Sequence, residues 1–301
     1  MLRTFFCLAL CVALSAQEPL PTDAVTAPSG WTPLVRAELI ADLILRGRLH
    51  IADPIAFEEA MQRGGGYAPM SIDISERLRG RCAKTIEFTC FVVPSVAANG
   101  IRPTGEDLLD MDRREVIVLL EQVGRRLFLA DRIMGETLMV ATADNQRMVR
   151  DVIAKNEALA KTPIPSDVLF CDDVLDELDA MAASPERQQE GFWQIQTFGP
   201  RALAAVVHSL DDDRRIESES LELHVRRSTN GTGFARVRVA SFGEALAFIA
   251  AEWANDALGI ARDSLARHTR QRNNECLRVF AHYVLEEHRT MSLTSRKTER
   301  G

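Results

Sequence analysis

His282, Glu286, Glu287 and His288 form the densest group of proton- or metal-handling side chains in the chain. His282 and Glu286 are four apart and share a helix face. His288 is six residues from His282 and falls well around the helix, and neither H-E-x-x-H nor H-x-x-E-H is present. That spacing describes an exposed polar face better than a metal site. Asp211-Asp212-Asp213 and Asp172-Asp173 carry the charge a divalent cation would want. They lack the alternating oxygens, the Gly turn and the closing Glu of a calcium loop, and read as solvated loops between helices. Gly64-Gly65-Gly66 has no Lys-Ser or Lys-Thr behind it, so it is a connector and not a phosphate cradle. No G-x-S-x-G elbow occurs. By motif, no residue is assigned to catalysis, a cofactor or a metal, and the balance leans away from an enzyme.

Two sets of residues point to structure or contact. Cys82, Cys90, Cys171 and Cys276 follow the N-terminal pair Cys7 and Cys11. Four cysteines in an exported chain permit disulfides, and buried free thiols are the equal alternative. Cys82 and Cys90 flank a strand start and are the pair for a local bridge, provided their Cα atoms come within roughly 7 Å. No C-x-x-C pair exists, which disfavours a zinc ribbon or a thioredoxin-type site. Arg226, Arg227, Arg236 and Arg238 gather on a predicted hairpin, and Arg262, Arg267, Arg270 and Arg272 make a second basic stretch. These clusters would suit an anionic partner, such as an acidic protein face or a polysaccharide, or would simply solubilise the surface. Asn230-Gly231-Thr232 fits a glycosylation sequon and, more simply, a tight turn.

Periodicity supplies the elements that must position these residues. Thr32 and Pro33 start a helix whose stripe runs through Leu39, Ile40, Leu43 and Ile44 to Gly47. Asp53-Pro54 opens a short helix through Met61, which the three glycines break. Ile86, Phe88, Cys90 and Val92 alternate along a strand over 85–93. Val116, Val118, Leu119, Leu120 and Val123 predict a helix ending near Gly124, followed by strand-like runs at 126–130 and 136–142. Asp144 would cap a helix carrying Met148, Val149, Val152 and Ile153. Residues 161–166, with two prolines, read as a linker. Beyond it come helices opened at Ser166, at Ser184-Pro185 and at Pro200. A hairpin over 221–239 turns at Asn230-Gly231. A capping box of Ser241 and Glu244 then starts another helix, and the last carries Leu277, Phe280, Ala281 and Val284.

The stretch from Phe198 through Gly199, Pro200, Leu203, Val206, Val207 and Leu210 to Asp212 resembles one HEAT-type helical unit. The stretch from Met134 to Val149, a Gly turn, an apolar strand, a polar cap and a helix, is similar to the small α+β modules of secretin N-terminal regions. Together these look like exported bacterial proteins. The resemblance implies protein contacts and brings no catalytic residues with it.

The chain has 301 residues, 46% hydrophobic and 26% charged, enough for one large or two modest folded units. Its 36 basic and 43 acidic residues leave a net charge of -7, which argues against a general nucleic-acid binder. Arg3, the apolar run from Phe5 to Leu14 and the small residues at Ala13-Leu14-Ser15-Ala16 read as a cleavable export signal, too short to span a bilayer. The expected organisation is a signal at 1–16, a flexible leader at 17–30, an α+β module at 31–160 and a linker at 161–166. A mostly helical, HEAT-like module with one β-hairpin follows at 167–291, then a polar, disordered tail at 292–301. The expected function is a non-enzymatic protein-interaction or scaffold module of the cell envelope or exterior, periplasmic or extracellular. Its partner would be another protein, with no cofactor and no membrane span. The competing expectation is an extracytoplasmic, hydrolase-like enzyme with a site assembled from scattered residues.

Overall fold

The computed structural model describes residues 28, 30–94, 103–130, 136–227, 231–258 and 270–298. The expected signal and almost all of the expected leader lie outside them.

Thr32 caps α1 (Pro33–Ile40), its hydroxyl accepting from Val35 N at 3.3 Å, and Pro33 sits where a helix has no N–H bond to lose. The helix does not continue into Leu43 and Ile44 as the stripe predicted. Those residues begin β1 (Leu43–Ile51), which pairs antiparallel with both β2 (Gly66–Arg79) and β4 (Glu115–Val123). The same correction applies to β4, predicted as a helix. Val116, Val118 and Leu120 face one core while Ile117 and Leu119 face another, so apolar residues follow one another without a polar face. Such a doubly buried strand is not distinguishable from a buried helix by periodicity. Between them, β3 (Thr85–Val92) matches the expected strand, with Phe88, Cys90 and Val92 buried.

These strands close on themselves in the order β1-β2-β3-β5-β4-β1, with β5 (Arg126–Leu129) parallel to β3 and antiparallel to β4. The short β6 (Leu138–Val140) continues along the same side of β4. A three-strand meander with β4 returning beside β1 is a Greek key, and its closure gives a five-stranded barrel of the OB type. Closure needs Gly47. The register shifts between Arg46 and Gly47, and a Cβ there would lie 2.2 Å from the Asp73 carbonyl oxygen. One end of the barrel is filled by Phe57 and Ala60 of α2 (Pro54–Gln62) and Leu108 of α3 (Gly105–Met111).

The outer barrel wall at Ile44, Ile117 and Leu119 shares a second core with α1 and the helical half. That half begins with α4 (Ala143–Lys161), capped by Thr142 rather than Asp144: Asn145 N donates to the Thr142 hydroxyl at 3.2 Å. It goes on with α5 (Cys171–Ala183), a 3-10 turn at Pro185–Arg187, α6 (Gln188–Thr197), a second turn at Gly199–Ala202 and α7 (Leu203–His208). The hairpin β7 (Leu221–Arg227) and β8 (Gly231–Val237) follows, then α8 (Phe242–Leu258) and α9 (Arg270–Thr298). Helix α5 starts five residues later than Ser166, after Phe170 adopts a left-handed φ of 66°. Helix α9 runs through 292–298, where a disordered tail was expected. Mixed helix and strand content makes the chain α+β, as expected. Leu203, Val206, Val207 and Leu210 are buried as the repeat pattern requires, but α7 is enclosed by α5, α8 and α9, and this packing does not establish a HEAT-like repeat.

Apolar residues from both sides of 161–166 share one core, to which Ile164 itself belongs. The Thr162 carbonyl lies 2.9 Å from His282 Nε2 and the Ile164 carbonyl 2.7 Å from His208 Nδ1. The seam between barrel and helices also holds a buried charge. Glu38, 1% exposed, pairs with Arg79 of β2 and accepts from Asn156 Nδ2 at 2.5 Å. Tyr283 of α9 donates to Asn156 Oδ1 at 3.3 Å, and Arg79 Nη1 donates to the Glu38 carbonyl at 2.8 Å. No helix among the described residues is long and apolar enough to cross a membrane.

Candidate interaction surface

The hairpin is held against α6 by side chains acting as a substitute strand. Gln189 Nε2 donates to the Glu222 carbonyl at 2.7 Å while Glu222 N donates back to Gln189 Oε1 at 2.8 Å. One step along β7, Gln196 makes the same reciprocal pair with His224, both bonds at 3.0 Å. Trp193 Nε1 adds a bond to the Glu222 carbonyl at 2.6 Å. Gln188 extends the pattern past the strand, accepting from Glu217 N at 3.0 Å and donating to the Arg215 carbonyl at 3.3 Å. Gln189, Trp193 and Gln196 are spaced i, i+4 and i+7, so one helix face carries all three. A carboxamide has one acceptor and one donor side by side, the same pair that a neighbouring strand would offer. Leu221 and Leu223 hold the opposite face of β7 in the core.

This arrangement fixes which backbone groups point outward from β8. Since Glu222 and His224 turn their amides toward α6, the bonded pairs within the hairpin are Leu221 with Val237, Leu223 with Ala235 and Val225 with Gly233. Thr232, Phe234 and Arg236 therefore aim N–H and C=O away from β7. Among the described residues β8 pairs with β7 alone. Among the described residues, one edge of the small sheet is sealed and the other is open.

Beside the open edge lies an aromatic cluster. The His224 ring is 4.5 Å from Phe234 and 6.2 Å from Trp193, and Phe234 is 48% exposed. Burial lowers the His224 pKa, which favours the neutral ring at neutral pH. Of the four arginines expected here, Arg236 bonds Glu222 Oε1 at 2.8 Å across the hairpin, and Arg238 is exposed just past the strand. In the backbone register Arg226 and Arg227 of β7 lie opposite Thr232 and Gly231. The turn at 228–230, with Asn230, lies outside the described residues.

The remaining sequence candidates do not converge. Cys82, Cys90, Cys171 and Cys276 are free thiols. Cys90 points into the barrel, where burial pushes its thiol up to about 12, and Cys82 sits in the β2–β3 turn. Thr85 to Cys90 alone spans about 16 Å of strand, beyond disulfide reach. The Cys82–Cys90 bridge is therefore absent. His282 is committed to the Thr162 carbonyl and Glu286 to Lys155 at 3.3 Å. Asp211 pairs with Arg278 at 2.6 Å, and Asp212 bonds Arg214 at 2.6 Å. Among the described residues no group of three potential metal ligands occurs.

Two barrel features went unread in the sequence. A groove of about 560 Å³ lies between α2 and α3, floored by Phe57, Met61 and Leu109 and rimmed by His50, Asp112 and Arg113. Arg113 holds a left-handed φ of 62°, pinned by its N–H on the Leu49 carbonyl at 2.8 Å. His50 Nε2 lies 3.3 Å from Asp73 Oδ2. On the outer wall Tyr67, 55% exposed, meets Phe91 edge to face at 5.0 Å, a direct cross-strand pair of β2 and β3. No known protein family matches the chain, and no curated protein or solved structure is similar to it.

Proposed function

We propose that this chain is a non-enzymatic protein-interaction module, exported to the cell envelope or exterior, whose helical half is a rigid platform presenting the β7–β8 hairpin. The observation that carries the reading is the asymmetry of that hairpin. Two glutamines and a tryptophan seal one edge, and among the described residues the other is unpaired beside an exposed Phe234. Proteins cover or blunt strand edges that have no use, because an open edge is a template for pairing. The export signal read in the sequence supplies the compartment. The test is a photo-crosslinking benzoylphenylalanine at position 234, compared with one at Asp144, in the producing cells. A discrete adduct at 234 and none at 144 is expected. No adduct at 234, or the same pattern at both positions, refutes the reading.

A second reading, an extracytoplasmic hydrolase, draws on the groove, whose size falls in the range of small-molecule sites, and on His50 beside Asp73 at its rim. A panel of fluorogenic esters and amides tests it. Turnover abolished by His50→Ala would favour this reading, and none above the His50→Ala background would dismiss it.

A further inference from the structure

We propose that the open edge of β8 accepts an extended acidic segment of another protein, which adds as a third strand beside Thr232, Phe234 and Arg236. The inference rests on the interaction reading above and names the kind of partner. Affinity would come from the backbone: those three residues direct their N–H and C=O groups outward, as the register of the hairpin and the glutamine bonds on its far side require.

Side chains on the two faces of the strand set the preference. On the outer face an added strand would meet Phe234, then Arg236, whose charge is shared with Glu222, then the exposed Arg238, in a chain of net charge -7. On the inner face it would meet Gly233, Ala235 and Val237, which are small or apolar and half-buried. A docked strand alternating acidic and apolar residues satisfies both faces at once, because successive side chains point to opposite sides. A second copy of this chain fits less well. Two β8 strands related by a two-fold axis would bring Arg236 and Arg238 of both copies onto one face, and like charges across a ladder are destabilising. Phe234 gives the docked strand an apolar contact next to the backbone bonds, where it is best shielded from water.

The experiment uses the full chain with two seven-residue peptides, one alternating Glu with Val and one alternating Lys with Val. Binding is read by calorimetry, and backbone protection by hydrogen exchange. The Glu–Val peptide is expected to bind and to slow exchange at the amides of Phe234 and Arg236, with the Lys–Val peptide weaker. Phe234→Pro removes an outward N–H without touching the bonds to β7 and should weaken binding by about tenfold or more. Phe234→Ala, which keeps the N–H, should lose less. Retained protection at the Leu223 amide shows that the hairpin of the proline variant is intact. Arg238→Glu, on an exposed side chain, should shift the preference toward the Lys–Val peptide. Equal binding of both peptides, protection confined to another element, or full affinity in an intact Phe234→Pro overturns the assignment. If neither peptide binds while the photo-crosslinker at 234 still traps a partner, the acidic-strand assignment falls and the interaction reading stands. Loss of both removes both.

Discussion

Replacing Arg79 with methionine would leave the buried carboxylate of Glu38 without its directly paired cation. Glu38 is 1% exposed and would keep the Asn156 amide at 2.5 Å and the more distant charge of Arg272. Removing one member of a buried pair costs about 3–5 kcal/mol, because the other charge stays desolvated. Arg79 keeps 16% of its side-chain surface in water, so the lower end, about 3 kcal/mol, is expected. That corresponds to a drop of roughly 6–12 °C in melting temperature for a chain of this size. Burial raises the Glu38 carboxyl above its ordinary value, with Arg79, Asn156 and Arg272 pulling it back. The folded protein therefore holds this proton at a pH where the unfolded chain has released it. Stability falls as pH rises from the unfolded value near 4.5 through the folded one. Without Arg79 that window extends upward, so Arg79→Met should cost more at pH 8 than at pH 5. Urea unfolding followed by tryptophan fluorescence reports it, since Trp31 packs edge to face on Phe280 at 5.0 Å and on Tyr283 at 5.6 Å. Glu38→Gln combined with Arg79→Met should recover part of the loss. A cost below about 1 kcal/mol, a pH-independent cost, or a double variant worse than the sum of the singles would refute the argument.

Gln196→Leu should strand the amide and carbonyl of His224 and cost about 2–4 kcal/mol, with the His224 amide losing protection in hydrogen exchange while that of Val149 keeps it. Gly47→Ala would drive a Cβ to within 2.2 Å of the Asp73 carbonyl and should lower stability by about 3 kcal/mol or more, whereas Gly124→Ala, with open space around it and φ of 63°, should cost only about 1 kcal/mol in thermal melts. In the folded protein at pH 8, Cys82 should react with a thiol reagent while Cys90 and Cys276, buried and with pKa values of about 12 and 11, stay silent; unfolding should release all of Cys82, Cys90, Cys171 and Cys276. A native titration that finds no reactive thiol at Cys82 would reopen the disulfide.

The sequence was most legible where a polar cap met an apolar stripe. Thr32-Pro33 and Asp53-Pro54 open helices as expected, both side chains accepting from backbone N–H groups, and the two strands of the hairpin fall within 221–239, although the register places Gly231 in β8 opposite Arg227 and not at the turn. It misled where a strand is buried on both faces. Glu115–Val123 has no polar alternation, because β4 has the barrel interior on one side and the helices on the other, and nothing in nine residues announces that a sheet will close around them. β2 was missed for a related reason. Its polar outer residues and Pro69 look like a loop until Ala68, Met70 and Ile72 are seen to face inward. Thr142 took the cap expected of Asp144, a difference of two residues that propensity cannot resolve.

The open hairpin edge was hidden for a different reason. The arginines drew the reading toward charge, but one of them, Arg236, is held by Glu222. What defines the surface is a pair of glutamines and a tryptophan on α6, about thirty residues earlier in the sequence. Their i, i+4, i+7 spacing was visible as a stripe. A Gln-Trp-Gln stripe reads as neither core nor charged face, and its meaning appears only when an edge strand lies against it. Those side chains do more than cover an edge. By fixing the amides of Glu222 and His224 toward the helix they fix the phase of the whole ladder, and with it which residues of β8 face outward. A one-residue slip would turn Phe234 into the core and Gly233 toward solvent, so the same glutamines that stabilise the hairpin also decide what it can recognise.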